Sequence, residues 1–422
     1  MAVETVPPHT EQPDVLEQTQ QLIKKALEHM GCAESFYELL KRPLRLMTVR
    51  IPIRMDDGSI RVFTGYRAQH NDVVGPTKGG IRFHPAVTPE EVTALSMRMS
   101  IQCGLTDLPY GGGMGGIECD PRTLSAAELE RLSRGYVRAI SRIVGPTKDI
   151  LAPDMYTNAQ MMAWIMDEYS RLREFDSPGF ITGKPLVLGG STGEGASTLK
   201  GVTMVLREAA KEAGVQIGGA KVIVQGFGHA GGYLAKFLHD AGAKIVGISD
   251  AGGALYHPDG LDVDYLLEKR DAYGAVTHLF ASAISNRELL VQACDILIPA
   301  AAENQLTEQN AADIQAKMVV EAANGPTTAK ATEILASRGV LLVPDVLASA
   351  GGVVASYFER VQSNQGCYWS EAEVYRKLDH VLVKAFREVH QIVLESKVDM
   401  RLAAYMAGLR KVVEAMRWRG WV

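Results

Sequence analysis

A short glycine-rich segment between a strand pattern and a helix pattern constrains this chain more than any other feature. Residues 221–225 read Lys-Val-Ile-Val-Gln, and Gly226-Phe-Gly-His-Ala-Gly231 follows directly. In such a segment the first glycine permits a tight turn, the second lets the backbone approach a pyrophosphate, and the third allows close helix packing. The pattern therefore predicts a dinucleotide site at a helix N-terminus, with Gly226, Gly228 and Gly231 as binding residues.

Asp250 adds to this prediction. It ends the next strand pattern, 24 residues after Gly226. A carboxylate in that position would hydrogen-bond the adenosine ribose hydroxyls and repel a 2′-phosphate, which favours NAD over NADP. A chain can also keep this fold after losing the cofactor, so the sequence leaves NAD binding open.

The alternation of strand and helix patterns predicts an α/β protein. Residues 188–350 alternate between short apolar strands and helices, which is typical of a Rossmann-like doubly wound parallel sheet. Residues 1–187 form a separate α/β region. Its strands are predicted at 44–54 and 59–68, and its helices flank a glycine-rich loop around Met114. Residues 351–422 return to long helices, predicted at 375–394 and 400–417.

Composition excludes several classes of protein. The 422 residues carry a net charge of −5 with interspersed signs, so a basic surface for nucleic acid is not expected. No apolar run approaches the roughly 20 residues that span a bilayer, and residues 1–20 are polar, which predicts a cytoplasmic protein without membrane contact. The five scattered cysteines predict reduced thiols and no metal site.

Six motifs in a fixed order carry a resemblance to a known family. They begin at Gly75, Leu108, Ala152, Gln225, Glu321 and Ala350, and the first three read Gly-Pro-Thr-Lys-Gly-Gly-Ile-Arg-Phe-His-Pro, Leu-Pro-Tyr-Gly-Gly-Gly-Met-Gly-Gly and Ala-Pro-Asp. In order and spacing the chain resembles the glutamate/leucine/phenylalanine/valine dehydrogenases, and most of all the bacterial glutamate dehydrogenases. The resemblance implies that residues 1–187 bind substrate and form a hexamer, and that residues 351–422 pack back on them.

The resemblance also implies roles for residues of an interdomain cleft. In glutamate dehydrogenases the positions of Lys78 and Gln102 hold lysines for the side-chain carboxylate and the α-carboxylate, and the position of Met114 holds the catalytic lysine. The other implied roles are the catalytic aspartate at Asp154, a side-chain pocket at Val353 and Ser356, and nicotinamide contacts at Asn324 and Thr198. Thr198 could equally be an ordinary helix-cap residue.

Three of these positions depart from the family pattern. Gln102 and Met114 replace lysines, and Glu194 stands where an arginine is common. A thioether carries no charge and donates no hydrogen bond, so Met114 cannot stabilise a developing oxyanion and is expected only to fill the lysine's volume. The cleft is therefore less positive than in the family and should attract a dicarboxylate poorly. Lys78 and Asp154 remain, and could pair with each other or hold an amino acid's carboxylate or amino group.

Three functions are compatible with these residues. The first is a non-catalytic regulatory subunit of a glutamate dehydrogenase, assembled with an active paralogue, tuned by an amino-acid effector such as leucine, and a homo-hexamer when alone. The alternative is an active NAD-dependent amino-acid dehydrogenase with an altered substrate. The third is a binding or scaffold protein unconnected to glutamate metabolism.

Overall fold

The computed structural model describes residues 15–271 and 274–422. Residues 1 to about 13, whose Pro- and Thr-rich sequence predicts a frayed tail, lie outside the described part. Two sheets with helices against their faces make up the molecule, a two-domain α/β fold. The strands are β1 Arg45–Arg54, β2 Ile60–Gln69, β3 Thr77–His84, β4 Gly111–Glu118, β5 Asp149–Pro153, β6 Lys221–Gln225, β7 Lys244–Asp250, β8 Gly253–Tyr256, β9 Ile296–Pro299, β10 Met318–Val320 and β11 Leu341–Val343.

The helices are distributed along the whole described chain. In chain order they are α1 Val15–His29, α2 Glu34–Leu40, α3 Pro89–Leu105, α4 Ala126–Ile140, α5 Ala159–Arg173, α6 Ser197–Glu212, α7 His229–Asp240, α8 Val263–Lys269, α9 Asn286–Leu290, α10 Ala329–Ser337, α11 Asp345–Ala348, α12 Gly351–Gln365, α13 Glu371–Ser396 and α14 Met400–Trp418.

The first sheet has the strand order β1-β2-β4-β3-β5. The strands β1 and β2 confirm the strands predicted at 44–54 and 59–68, and they pair antiparallel around the Asp56-Asp57-Gly58 turn. The inner strands β3 and β4 run parallel, as do β3 and β5. Helices α4 and α5 pack on one face through an apolar cluster that includes Tyr136 and Phe180.

Met114 lies on strand β4, so the prediction of a glycine-rich loop there is wrong. A Cβ on Gly112 would stand 2.1 Å from the carbonyl oxygen of Ser96, and one on Gly111 would stand 1.5 Å from that of Asn71. The glycines are needed because the strand presses directly against helix α3 and a neighbouring segment. Close packing, and not loop flexibility, explains the Gly-Gly-Gly run.

The second sheet has the order β11-β10-β9-β6-β7-β8, parallel except for the antiparallel pair β7 and β8. Strand β6 is central, and residues 222–225 are buried on both faces, as the apolar pattern predicted. The doubly wound sheet is therefore confirmed.

The helices after residue 350 connect the two sheets. Helix α12 packs against α6, and α14 packs against α3 and α1 of the first half of the chain. The helices predicted at 375–394 and 400–417 are confirmed by α13 and α14. Within the described residues, none of the helices combines the length and hydropathy needed to span a bilayer.

Candidate active site

A cleft of about 470 Å³ lies between strand β3, helix α3 and the start of helices α6 and α12. It brings together all eight residues that the resemblance placed in the substrate and nicotinamide sites. They are Lys78, Gln102, Met114, Asp154, Thr198, Asn324, Val353 and Ser356. Glu194 lines the same cleft, whereas the glycines of the nucleotide loop and Asp250 lie outside it.

Lys78 is buried at one end of the cleft. Its Nζ donates a hydrogen bond of 2.9 Å to the hydroxyl of Thr182, which lies 2.5 Å from the hydroxyl of Ser356. Burial lowers the pKa of Lys78 to about 7, although the carboxylates of Glu359 and Glu194 act in the opposite direction. Lys78 is therefore only partly charged at neutral pH and keeps donors free for a ligand.

Asp154 follows strand β5 and pairs with Arg82, not with Lys78, so the suggested Lys78–Asp154 pair is wrong. Its Oδ2 accepts from Nε of Arg82 at 2.7 Å, while another nitrogen of Arg82 donates to Glu91 at 2.5 Å. The Arg82 guanidinium thus holds Asp154 at the cleft wall. The carboxylate keeps its second oxygen for a ligand or a water molecule.

Met114 is 3% exposed and packs with Tyr66, Val87 and Val92 in an apolar cluster. It lies beside Leu95 of helix α3, which also lines the cleft. The thioether therefore fills the volume at the position where the resemblance implied a catalytic lysine. This wall of the cleft is apolar.

Gln102 does not leave its amide free for a ligand. Its Nε2 donates to the carbonyl oxygen of Val346 at 3.2 Å and to the hydroxyl of Ser349 at 3.0 Å. Val346 lies in helix α11, and Ser349 directly follows this helix. Gln102 consequently joins α3 to α11. Its amide donates within the chain, at the position where the resemblance implied a lysine for the α-carboxylate.

Glu194 lies in a 3-10 turn directly before helix α6. Burial, reinforced by the nearby Glu359 carboxylate, raises the pKa of Glu194 to about 7 against the opposing effect of Lys78. Within the described residues neither Glu194 nor Lys78 forms an ion pair, although the charge of each acts on the pKa of the other. One end of the cleft thus holds two unpaired groups of opposite sign.

The glycine loop has the shape that a pyrophosphate needs. Gly226 has φ +88°, and a Cβ on Gly231 would stand 1.7 Å from the carbonyl oxygen of Gly226. A Cβ on Gly228 would meet nothing within 4 Å, so there is open space beside this glycine. The loop therefore fits a dinucleotide.

Asp250 is already bonded within the chain. Its Oδ2 accepts from the backbone nitrogens of Val276 and Thr277 at 2.6 and 2.8 Å, and its Oδ1 accepts from that of Gly252 at 2.7 Å and from the Thr277 hydroxyl. Burial opposes ionisation, but these bonds outweigh it and keep the pKa of Asp250 low. A ribose would have to share or replace these donors, so the ribose contact stays a prediction.

Thr198 is the second residue of helix α6, whose N-cap is Ala196, so Thr198 is not the helix cap. Its side chain is exposed to the cleft, as is that of Asn324. Sequence reasoning missed Thr182, which has no regular element or motif to mark it. It also gave no role to Arg82, although the Gly-Gly-Ile-Arg motif contains it.

Two family models together match most of the chain. Residues 43–171 match the Glu/Leu/Phe/Val dehydrogenase dimerisation domain, and residues 189–420 match the glutamate/leucine/phenylalanine/valine dehydrogenase model. The first contains Lys78, Gln102, Met114 and Asp154, and the second contains the glycine loop.

Individual proteins and structures agree with these matches. The chain is 65% identical to the cryptic catabolic NAD-specific glutamate dehydrogenase GudB of Bacillus subtilis (strain 168), over 100% of both chains. It resembles the crystal structure of glutamate dehydrogenase from Peptoniphilus asaccharolyticus, with TM-score 0.85, 42% identity and coverage of 97% of this chain and 100% of that one. The hetero-hexameric glutamate dehydrogenase from Thermus thermophilus, in its Leu bound form, has TM-score 0.89 and 36% identity, covering 98% of each chain. The chain therefore belongs to the glutamate/leucine/phenylalanine/valine dehydrogenase family.

Proposed function

We propose that this chain is an NAD-dependent amino-acid dehydrogenase whose substrate is not glutamate. The observation that carries the proposal is the charge of the cleft. Of its lining cations, Arg82 and Arg98 already pair with carboxylates, which leaves Lys78 as the one unpaired cation among the described lining residues. A single half-charged lysine beside Glu194 is poorly suited to a substrate with two carboxylates.

The relatives support an active enzyme more than a silent subunit. The Bacillus subtilis relative GudB is named NAD-specific, and so is a second relative from that organism, the catabolic glutamate dehydrogenase RocG, at 66% identity. The glycine loop supports the same cofactor, because Gly226 makes a tight turn, Gly231 packs closely against it, and there is open space beside Gly228. Asp250, Thr198 and Asn324 remain the proposed ribose and nicotinamide contacts.

The proposed reaction is oxidative deamination. An amino acid, NAD⁺ and water give a 2-oxo acid, ammonium, NADH and a proton. When bound, NAD⁺ would accept the hydride that leaves the Cα of the substrate. The chain orients the substrate through Lys78, and Asp154 exchanges protons with the amino group and water from its position beside Arg82. Without the donor that a lysine at position 114 would supply, we expect turnover to be slower by roughly 10²- to 10³-fold than with such a donor.

A substrate panel tests this proposal. Purified protein is assayed with each of the common L-amino acids and either NAD⁺ or NADP⁺, following formation of the reduced cofactor. We expect turnover with at least one amino acid other than glutamate, and a preference for NAD⁺. Failure of every amino acid to be oxidised would contradict the proposal.

Met114 supports a second candidate, the non-catalytic regulatory subunit of a hetero-oligomer. Its buried thioether removes the family's catalytic donor, and the Thermus thermophilus structure is described as a hetero-hexamer with leucine bound. Co-expression with an active paralogue under separate tags tests this candidate. Co-purification, together with a leucine response that the paralogue lacks alone, would support it, and separate homo-oligomers would reject it.

A further inference from the structure

Two lysines are buried close to each other, and only Lys184 has a counter-ion. The Nζ of Lys184 pairs with the carboxylate of Glu359 at 2.6 Å and donates to the carbonyl oxygen of Ile181 at 2.7 Å. The Nζ of Lys78 donates to the Thr182 hydroxyl at 2.9 Å, and within the described residues it pairs with no carboxylate. Because Lys78 is only 1% exposed, its ammonium form is buried without the partner that Lys184 has.

Burial without a counter-ion favours the neutral amine of Lys78. An unpaired charge is costly to remove from water, so such a group gives up its proton instead. The ring of Tyr110 offers little compensation, because its centroid lies 6.0 Å from Nζ, at the limit of a cation–π contact. Desolvation, reinforced by the nearby charge of Lys184, lowers the pKa of Lys78 to about 7 against the opposing charge of Glu359. About half of the molecules therefore carry a neutral amine at pH 7.

The cleft gives an electrophile room beside this amine. Lys78 lines the cleft of about 470 Å³ together with apolar side chains that include Val353. Val353 and Ser356 lie three residues apart on one face of α12, and the Ser356 hydroxyl is 2.5 Å from that of Thr182. Desolvation in a protein pocket is one of the ways in which a lysine is activated for attack on carbonyl compounds. The surroundings of Lys78 meet this requirement.

The charges of the lining residues select an uncharged ligand. Arg82 and Arg98 are the other cations that line the described part of the cleft, and both already pair with carboxylates. The reactive form of Lys78 carries no charge. No described lining cation is then left to hold a carboxylate, so an anionic carbonyl compound is disfavoured.

We infer that Lys78 is a nucleophile that forms an imine with a small uncharged aldehyde or ketone. The lone pair of Nζ attacks the carbonyl carbon to give a carbinolamine, whose C–O bond then breaks. The two hydrogens of the amine leave with the carbonyl oxygen as water, so the step needs neither an oxidant nor a reductant. The hydroxyls of Thr182 and Ser356, joined in sequence to Nζ, transfer protons during these steps. This reactivity requires no NAD and is independent of the proposed dehydrogenase activity.

Reductive trapping on the full-length protein tests this assignment. The protein is incubated at pH 7 with butanone and sodium cyanoborohydride, which reduces an imine to a stable secondary amine, and peptide mass spectrometry locates the labelled lysines. We expect at least tenfold more label on Lys78 than on the ion-paired Lys184 or the exposed Lys244. A lysine in water, with a pKa of about 10.4, is neutral in fewer than about one molecule in a thousand at pH 7. Label on Lys78 that does not exceed the label on the other two would overturn the assignment.

Two further measurements test the cause of the selectivity. In urea-unfolded protein the preference for Lys78 should disappear, because it depends on burial, and a preference that persists would contradict this origin. With pyruvate in place of butanone, the ratio of label on Lys78 to label on Lys244 should fall, because pyruvate carries a carboxylate. A ratio that does not fall would reject the uncharged ligand.

Glu359→Gln provides a matched test of the counter-ion. This isosteric change leaves Lys184 buried without its carboxylate, so label on Lys184 should rise at least tenfold while Lys78 stays labelled. Unchanged protection of Lys184 in a folded variant would contradict the role given to the missing counter-ion. Circular dichroism checks the fold, and the comparison of Lys78 with Lys184 in the wild-type protein decides the assignment even if this variant does not fold.

Discussion

Lys78 and Glu194 titrate in the same range because loss of solvent contact shifts both pKa values at one end of the cleft. Burial lowers the pKa of Lys78 to about 7 and raises the pKa of Glu194 to about 7. The groups that act on them come from neighbouring elements: Glu359 on α12, Cys103 on α3, and Lys184. Lys78 loses its charge above this pH, and Glu194 loses its charge below it.

The affinity for the amino acid that the substrate panel finds most active should therefore fall above pH 7. Under the proposed function Lys78 orients this substrate, so binding requires a proton on Lys78 and the affinity should approach a tenfold loss per pH unit. Calorimetry from pH 7 to about 9 measures the profile. A flat profile over this range would contradict this role of Lys78.

Glutamate oxidation should not return with a single substitution at position 114. Met114→Lys restores one donor, but Gln102 and Glu194 still leave the cleft without the charges that a second carboxylate needs. The triple change with Gln102→Lys and Glu194→Arg should raise kcat/KM for glutamate at least tenfold above the single variant, an energy difference of about 1.4 kcal/mol. Met114→Leu is the matched control for volume. Equal activity of the single and triple variants would reject this reasoning.

Among the elements, strand β4 has the strictest steric requirement. Helix α3 approaches it so closely that a Cβ on Gly112 would stand 2.3 Å from the backbone nitrogen of Ser100. Backbone atoms cannot rotate away, so Gly112→Ala should lower the free energy of unfolding by about 3 kcal/mol or more. Gly218→Ala, where a Cβ meets nothing within 4 Å, should change it by less than about 1 kcal/mol. Urea unfolding of both variants measures the difference, and equal stabilities would contradict the close approach.

Strand β4 is also the clearest example of a feature that could not be predicted from the sequence. The second sheet was predictable because β6 and β7 are apolar runs beside a glycine loop, and the positions of Lys78 and Asp154 followed from motifs. Strand β4 was not predicted because glycine has low strand propensity. The extended conformation of the Gly-Gly-Gly run depends on its contact with α3. Likewise, the Arg82–Asp154 ion pair forms between residues that are distant in the sequence, so a local sequence pattern does not predict it.

At the scale of the whole molecule, buried ion pairs join the two halves. Arg401 of α14 donates to Glu321, which follows β10, at 2.5 Å, and to Asp345 at 3.3 Å. Arg98 of α3 also pairs with Asp345. These carboxylates lie next to the second sheet, whereas α3 belongs to the first half, so the cluster fixes one side of the cleft.

Removing Arg401 should destabilise the protein strongly. Arg401→Met leaves Glu321 buried without its guanidinium partner, which should cost about 3 to 5 kcal/mol of unfolding free energy. Arg410→Met, on the exposed face of the same helix, is the control and should cost less than about 0.5 kcal/mol. Chemical unfolding monitored by circular dichroism measures both, and similar losses would show that the cluster contributes little.

Under the proposed function, a complete dehydrogenase fold encloses a cleft that is not suited to glutamate. The most direct test is kcat/KM with NAD⁺ for L-glutamate and for the most active of the other amino acids in the substrate panel, measured on one preparation from a host lacking its own glutamate dehydrogenase. We predict a value for that amino acid at least tenfold above the value for glutamate. A higher value for glutamate, with turnover in the ordinary enzyme range of about 1 to 10³ s⁻¹, would contradict the proposed function.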